Sequence, residues 1–234
     1  MGMLYLIRHG QASFGEANYD RLSPRGEKQA ELLADYLIQT DTRFDLLASG
    51  SLSRQEKTAR ILMEKLKSRV QSPKLSLLPA FNEYDSEGVF REMLPAILAE
   101  NKEASRDLEN MVADKQAFQR ILGQVLDRWM DMETASLPLE SWSEFRSRVH
   151  RGILDLDLKG PKKTAIVTSG GVMAACLHLF LQVPPKKAIT MSWQCFNTSL
   201  SIWVAGKGEN FRLHAWNLAP HLELCHKPDL ITYR

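Results

Sequence analysis

Apolar residues come in short runs, each followed by a polar turn and then by a stretch with helical spacing, and this order repeats along the chain. Residues 4–7 are apolar and closely followed by Gly10, which predicts a fully buried strand. The polar loop 10–22 leads to Ser23, placed to cap a helix with Pro24 in its first position and Ala30, Leu33, Ala34, Leu37 and Ile38 on one face. Residues 44–48 predict a second strand. After the turn 49–53 comes a helix with Ala59, Leu62, Met63, Leu66 and Val70 turned inward. Residues 75–78 suggest a third strand. Residues 165–168 give a clear one, feeding Gly170 and a helix that buries Val172, Ala175, Cys176, Leu179 and Phe180. Strands alternating with helices imply a mostly parallel sheet covered on both faces, hence an α/β protein.

Between residues 88 and 137 the pattern becomes purely helical, with Phe118, Ile121, Leu122, Val125, Leu126 and Trp129 on one face. This predicts a helical insertion within a single domain spanning residues 1–234. A helix over residues 141–156, with Trp142, Phe145, Val149 and Ile153 inward, returns the chain to the sheet. The end reads as a hairpin: Leu200, Ile202 and Val204 alternate with Ser201 and Trp203, then the turn 206–210 leads into Phe211, Leu213 and Ala215.

With 234 residues and 44% hydrophobic composition, the chain can enclose a full core. A net charge of +2 with acids and bases interspersed gives no reason to expect a nucleic-acid or membrane-surface partner. Cys176, Cys195 and Cys225 are odd in number and lack any C-x-x-C spacing, so free thiols in a reducing, cytoplasmic setting are expected. No apolar stretch reaches the length of a membrane span, and the N-terminus enters a strand too early to leave room for a signal peptide. No His, Cys, Asp or Glu grouping has metal-ligand spacing, and no glycine-rich nucleotide loop follows a strand, so no cofactor is expected.

Ligands of open α/β sheets bind beyond the carboxyl ends of the strands. Three polar turns leave such positions here: Arg8, His9 and Gly10; residues 49–54; and Thr168, Ser169 and Gly170. Arg8 and Arg54 bring planar, permanently charged forks suited to phosphoryl oxygens. Neutral His9 is placed to attack phosphorus. Gly10 lets the backbone approach an anion, and the helix starting near Gly170 offers unpaired N–H groups. Glu83 is the candidate acid for the leaving oxygen, with Asp85 and Glu87 as competitors. Gln11, Ser13 and Phe14 follow the nucleophile and are candidate substrate contacts.

Taken in order, Leu6-Ile7-Arg8-His9-Gly10-Gln11, the run from Leu22 to Ala30, Arg54 to Ala59, Asn82-Glu83, Asn197 to Ser199, and Asn217 to Leu222 resemble the histidine phosphatase superfamily, the phosphoglycerate mutase-like group. The resemblance covers almost the whole chain outside the insertion. It implies a three-layer α/β/α sandwich, a phosphohistidine intermediate on His9, a phosphate pocket containing Arg8 and Arg54, and Glu83 as acid/base. The family's second histidine, before glycine in a strand-turn-helix, is replaced here by Ser169. A serine donates one hydrogen bond and can cap the helix, but brings no charge. His178 lies over two helical turns away, while His221 and His226 are the histidines left to swing in. His150 and His214 read as structural.

The leading expectation is a cytoplasmic phosphomonoesterase that moves phosphoryl from a small-molecule phosphate ester to His9 and then to water, its insertion forming a cap over the site. A mutase-type phosphotransferase and a catalytically weakened phosphate-binding regulatory protein stay open as alternatives, the latter because of Ser169.

Overall fold

The computed structural model describes residues 1–13, 20–67, 74–111, 113–132, 138–156, 158 and 162–233. Val70 and Phe14 lie outside them. Strands β1 (Met3–Arg8), β2 (Leu46–Ser49), β3 (Leu75–Leu77), β4 (Lys163–Thr168), β5 (Leu200–Ala205) and β6 (Phe211–Leu218) form one sheet in the order β3-β2-β4-β1-β5-β6. The first four strands of that order are parallel, and β5 and β6 run antiparallel. Each parallel strand ends on the same side of the sheet, so the turns after β1, β2 and β4 emerge together.

Helices α1 (Pro24–Gln39) and α2 (Ser53–Leu66) cover one face. Leu33, Ala34, Leu37, Ala59 and Leu62 pack there on Tyr5, Ile7, Leu47, Ala165 and Val167. Full burial of each large aliphatic side chain contributes about 1.5–3 kcal/mol. The alternate residues Leu4, Leu6 and Ile166 are also completely buried. They point to the opposite face, where Phe180 of α7 (Gly170–Leu181) packs edge-on against Trp203, the β5 partner of Leu4. Both faces of the central strands are therefore dry, which is why they read as continuous apolar runs.

The expected α1 cap is present: Ser23 accepts from Gly26 N–H at 3.1 Å, with Pro24 leading the helix. Strand ends differ by one or two residues from the sequence reading. On the hairpin, Ser201 and Trp203 are fully buried while Ile202 and Val204 are only partly so.

Two compact units are distinguishable, residues Met1–Glu83 with Arg148–Arg234, and Tyr84–Ser147. The second contains α3 (Ser86–Glu100), α4 (Lys102–Asn110), α5 (Lys115–Asp131) and the first turns of α6 (Trp142–Leu154). It is wider than residues 88–137 because flanking aromatics join its core: Trp129 lies with ring centroids 4.6 Å from Tyr84, 5.7 Å from Trp142 and 6.2 Å from Phe145. Helix α8 (Pro185–Trp193), not among the elements predicted above, has a proline in its first turn and Ala188, Ile189 and Ser192 on its buried face. The short helix α9 (Pro220–Glu223) follows β6. Among the described residues, no helix is long and apolar enough to cross a membrane.

Candidate active site

His9 leaves β1 with its backbone held on three sides. Its N–H donates to Thr168 O at 2.9 Å, and its carbonyl accepts from Asn197 Nδ2 at 3.0 Å. Thr198, at φ 61°, donates its N–H to Arg8 O. The imidazole is 4% exposed. Arg54 Nε–H donates to His9 Nε2 at 3.2 Å, so Nε2 carries a lone pair, and the ring proton sits on Nδ1 and donates to Gly10 O at 2.7 Å. Burial holds the His9 pKa well below its ordinary value, and the charges of Arg54 and Arg8 push it further down. The ring is neutral, in the tautomer that points a nucleophilic nitrogen at a guanidinium.

Arg54 enters from the first turn of α2, where the helix dipole disfavours a cation. Asp20 compensates by bridging: one carboxylate oxygen accepts from Arg54 at 2.6 Å and the other from Ser53 N–H at 2.7 Å. Arg8 donates to the Cys195 carbonyl, and its charge reaches the His9 ring. The Cys195 thiol is pushed up to about 12 by burial.

Gly10 packs closely on the start of α1. A Cβ there would collide with the carbonyl of Gly26, so the glycine permits the loop to rest on the start of α1. Its N–H donates to Thr58 Oγ1 at 3.1 Å. Gln11 turns its side-chain oxygen to Ser23 Oγ at 3.0 Å, and Ser13 is buried with its N–H on Arg21 O.

Glu83 accepts from Gly171 N–H at 2.9 Å, so a carboxylate occupies the start of α7 where Gly170 was expected to present donors to phosphate. Of the two other carboxylates, Asp85 caps α3 through Gly88 N–H, and Glu87 is exposed on that helix. Arg148, unremarked in the sequence, donates to the carbonyls of Pro79, Ala80 and Asn82 at 2.9–3.2 Å and so fixes the turn that carries Glu83. Asn82 ties that turn to the β2–α2 turn, accepting from Ser51 N–H at 2.6 Å and donating to Ser51 Oγ at 2.9 Å.

Ser169 is 1% exposed and stands at the N-terminal cap position of α7, yet its side chain makes no capping bond. Its oxygen accepts instead from Gln55 Nε2 at 2.8 Å. The buried amide lies directly against it, so an imidazole at 169 is expected to crowd Gln55. Ser169→His alone is expected to lower stability by about 1–3 kcal/mol through overpacking, and adding Gln55→Ala to restore most of it. Thermal melts of the two variants check this, and a stable single variant would show the space to be free.

His178 bonds Val183 O at 2.9 Å, His226 is exposed, and His150 pairs with Glu209 at 3.2 Å. His221 is buried and lies 2.8 Å from Thr198 Oγ1, which itself donates to Asn197 O, so the imidazole is the donor and cannot swing out without leaving that bond. Burial lowers its pKa from 6.5 to about 4. The unfolded chain binds this proton first as pH falls. Stability from the neutral ring, about 3 kcal/mol, is present above pH 6.5 and is lost as pH drops through about 4. Denaturant titrations across that window should show the loss, and His221→Gln should flatten it; an unchanged slope would remove His221 as its source.

Among the described residues no group of three or more His, Cys, Asp or Glu side chains is placed to hold a metal ion. What the first unit assembles is a neutral imidazole, two arginines, a carboxylate on a helix start and a buried serine–amide pair.

Comparison with known proteins gives this arrangement its context. No curated protein sequence matches the chain. Among solved structures it is similar to mycobacterial glucosyl-3-phosphoglycerate phosphatase in complex with inorganic phosphate, at TM-score 0.63 and 20% identity, covering 94% of this chain and 99% of that one. Phosphoserine phosphatase from Entamoeba histolytica in complex with 3-phosphoglyceric acid is similar at TM-score 0.63 and 19% identity, covering 95% and 100%. These likenesses establish the fold, a six-stranded, mostly parallel sheet flanked by helices. Residues 4–219 match the profile described as histidine phosphatase superfamily (branch 1), nearly the full length, and the chain belongs to that family.

Proposed function

We propose that the chain is a phosphoric monoester hydrolase that transfers phosphoryl from a small phosphorylated metabolite to His9 Nε2 and then to water. The observation that carries this reading is the His9 tautomer: the Nδ1 proton is tied to Gly10 O, and Nε2 presents its lone pair against Arg54. In the first step Nε2 attacks phosphorus, the P–O ester bond breaks, and the leaving oxygen takes a proton from the Glu83 carboxyl. In the second, water attacks the phosphohistidine, Glu83 takes a proton from it, and the P–N bond breaks to release phosphate. The Gly171 N–H holds the Glu83 carboxyl at the start of α7 for both steps. Arg8 and Arg54 balance the charge of the equatorial oxygens, with Arg54 exchanging Asp20 and His9 for the substrate.

Family membership supports phosphomonoester hydrolysis, and the small phosphorylated ligands named for the two similar structures support the substrate class. A panel of phosphate esters that includes phosphoserine and glucosyl-3-phosphoglycerate tests it. Release of inorganic phosphate from one or more esters is expected, and a chain inert toward all of them but binding phosphate would favour a regulatory role instead.

A further inference from the structure

Gln55 follows Arg54 on α2 and is completely buried. Its Nε2 lies 2.8 Å from Ser169 Oγ and 3.2 Å from Phe81 O. A carbonyl can only accept, so Phe81 fixes which end of the amide faces this way, and Nε2 must be the donor to both oxygens. Ser169 Oγ is thereby an acceptor within the pair. Its own proton points elsewhere, and no acceptor among the described residues takes it, the α7 cap included. Gln55 Oε1 is likewise buried without a partner. Buried polar groups left open in this way are uncommon.

The place where this proton is left is informative. Thr168 pairs with Arg8 across the sheet and His9 N–H donates to Thr168 O, so residues 9 and 169 leave neighbouring parallel strands side by side. Gln55 and Arg54, adjacent in sequence, reach Ser169 and His9 respectively.

We propose that Gln55 is a positioning residue that turns Ser169 into a neutral hydrogen-bond donor to a phosphoryl oxygen held at His9. The proposal rests on the phosphatase reading above. By spending an amide proton on the serine oxygen, Gln55 leaves the hydroxyl proton no inward partner and directs it to the anion. The pair thus supplies a donor at the third strand end without placing a third cation there.

The test measures the dissociation constant for inorganic phosphate, and kcat and KM on an ester from the panel, at a temperature where melts show each variant folded. Ser169→Ala is expected to weaken phosphate binding and lower kcat by about tenfold, the scale of one hydrogen bond to a charged group. Gln55→Leu should do the same, and the double variant should lose no more than Ser169→Ala alone. Ser169→Thr keeps the hydroxyl and should keep most of the affinity. Gln55→Glu has the native shape but draws the serine proton toward itself, and should match Gln55→Leu if the latter folds poorly. Native phosphate affinity and kcat in folded Gln55 variants, with only the melting temperature lowered, would reduce Gln55 to packing and overturn the proposal; so would additive losses in the double variant. A native chain that binds no phosphate would overturn the phosphatase reading, and this proposal with it.

Discussion

Replacing His9 by alanine is expected to reduce turnover by about 10⁴-fold or more, the scale seen when a covalent nucleophile is removed and only binding groups are left. Nε2 is unprotonated, its partner Nδ1 is committed to Gly10 O, and burial with two flanking guanidinium groups keeps the ring neutral far below the usual histidine range. His9→Ala leaves Arg8, Arg54 and Ser169 in place, so phosphate should still bind. A variant with lost turnover and retained phosphate affinity separates chemistry from binding. Turnover that survives in His9→Ala would place the nucleophile elsewhere.

The next largest effect is expected at Arg54. Arg54→Ala should lower kcat/KM by about tenfold to a hundredfold, as for loss of a charge-assisted hydrogen bond to a reacting phosphoryl group. It also strips Asp20 of its partner and leaves that carboxylate facing the site from Ser53 N–H. Arg54→Lys should recover only part of the loss, because one ammonium cannot reproduce the fork that now spans His9 Nε2 and Asp20 Oδ1. Steady-state kinetics on a substrate from the ester panel decides it; unchanged kcat/KM in Arg54→Ala removes the residue from the site.

What could be read from the chain alone follows from how local each signal is. His9 and Arg8 end an apolar run, and a strand end followed by glycine is visible within a few residues. Arg54 sits on a recognisable turn before a helix. The α2 face was legible for the same reason, since helical spacing is a short-range pattern, whereas α7 buries Met173, Ala174 and Leu177 as fully as Val172, Ala175 and Cys176 and has no single inward face. Gln55 looks like any polar residue in a helix, and its role depends on a serine 114 positions away. Asp20 caps α2 from 33 residues upstream, and Asn197 reaches His9 O across 188. Gln29 is similar: buried in α1, it accepts from Gln11 N–H and donates to Leu230 O and Thr232 Oγ1, and Thr232 in turn donates to Asn197 Oδ1. This run of hydrogen bonds ties the loop after His9 to residues 230–232. Each member is a polar residue whose partner only the fold supplies. Gly10 has a constraint of the same kind: its close packing on Gly26, 16 positions on, becomes visible only in the fold.

The proposed mechanism requires a covalent phosphohistidine at His9, which rapid quenching can trap. A phosphate ester carrying labelled phosphorus is mixed rapidly with enzyme and quenched without acid, since the P–N bond is acid-labile, and the labelled peptide is located by mass spectrometry. Label is expected on the peptide containing His9, formed and discharged at rates compatible with turnover, and none on His9→Ala protein. Equal labelling of His9→Ala, or turnover by the native chain with no label passing through His9, would contradict it.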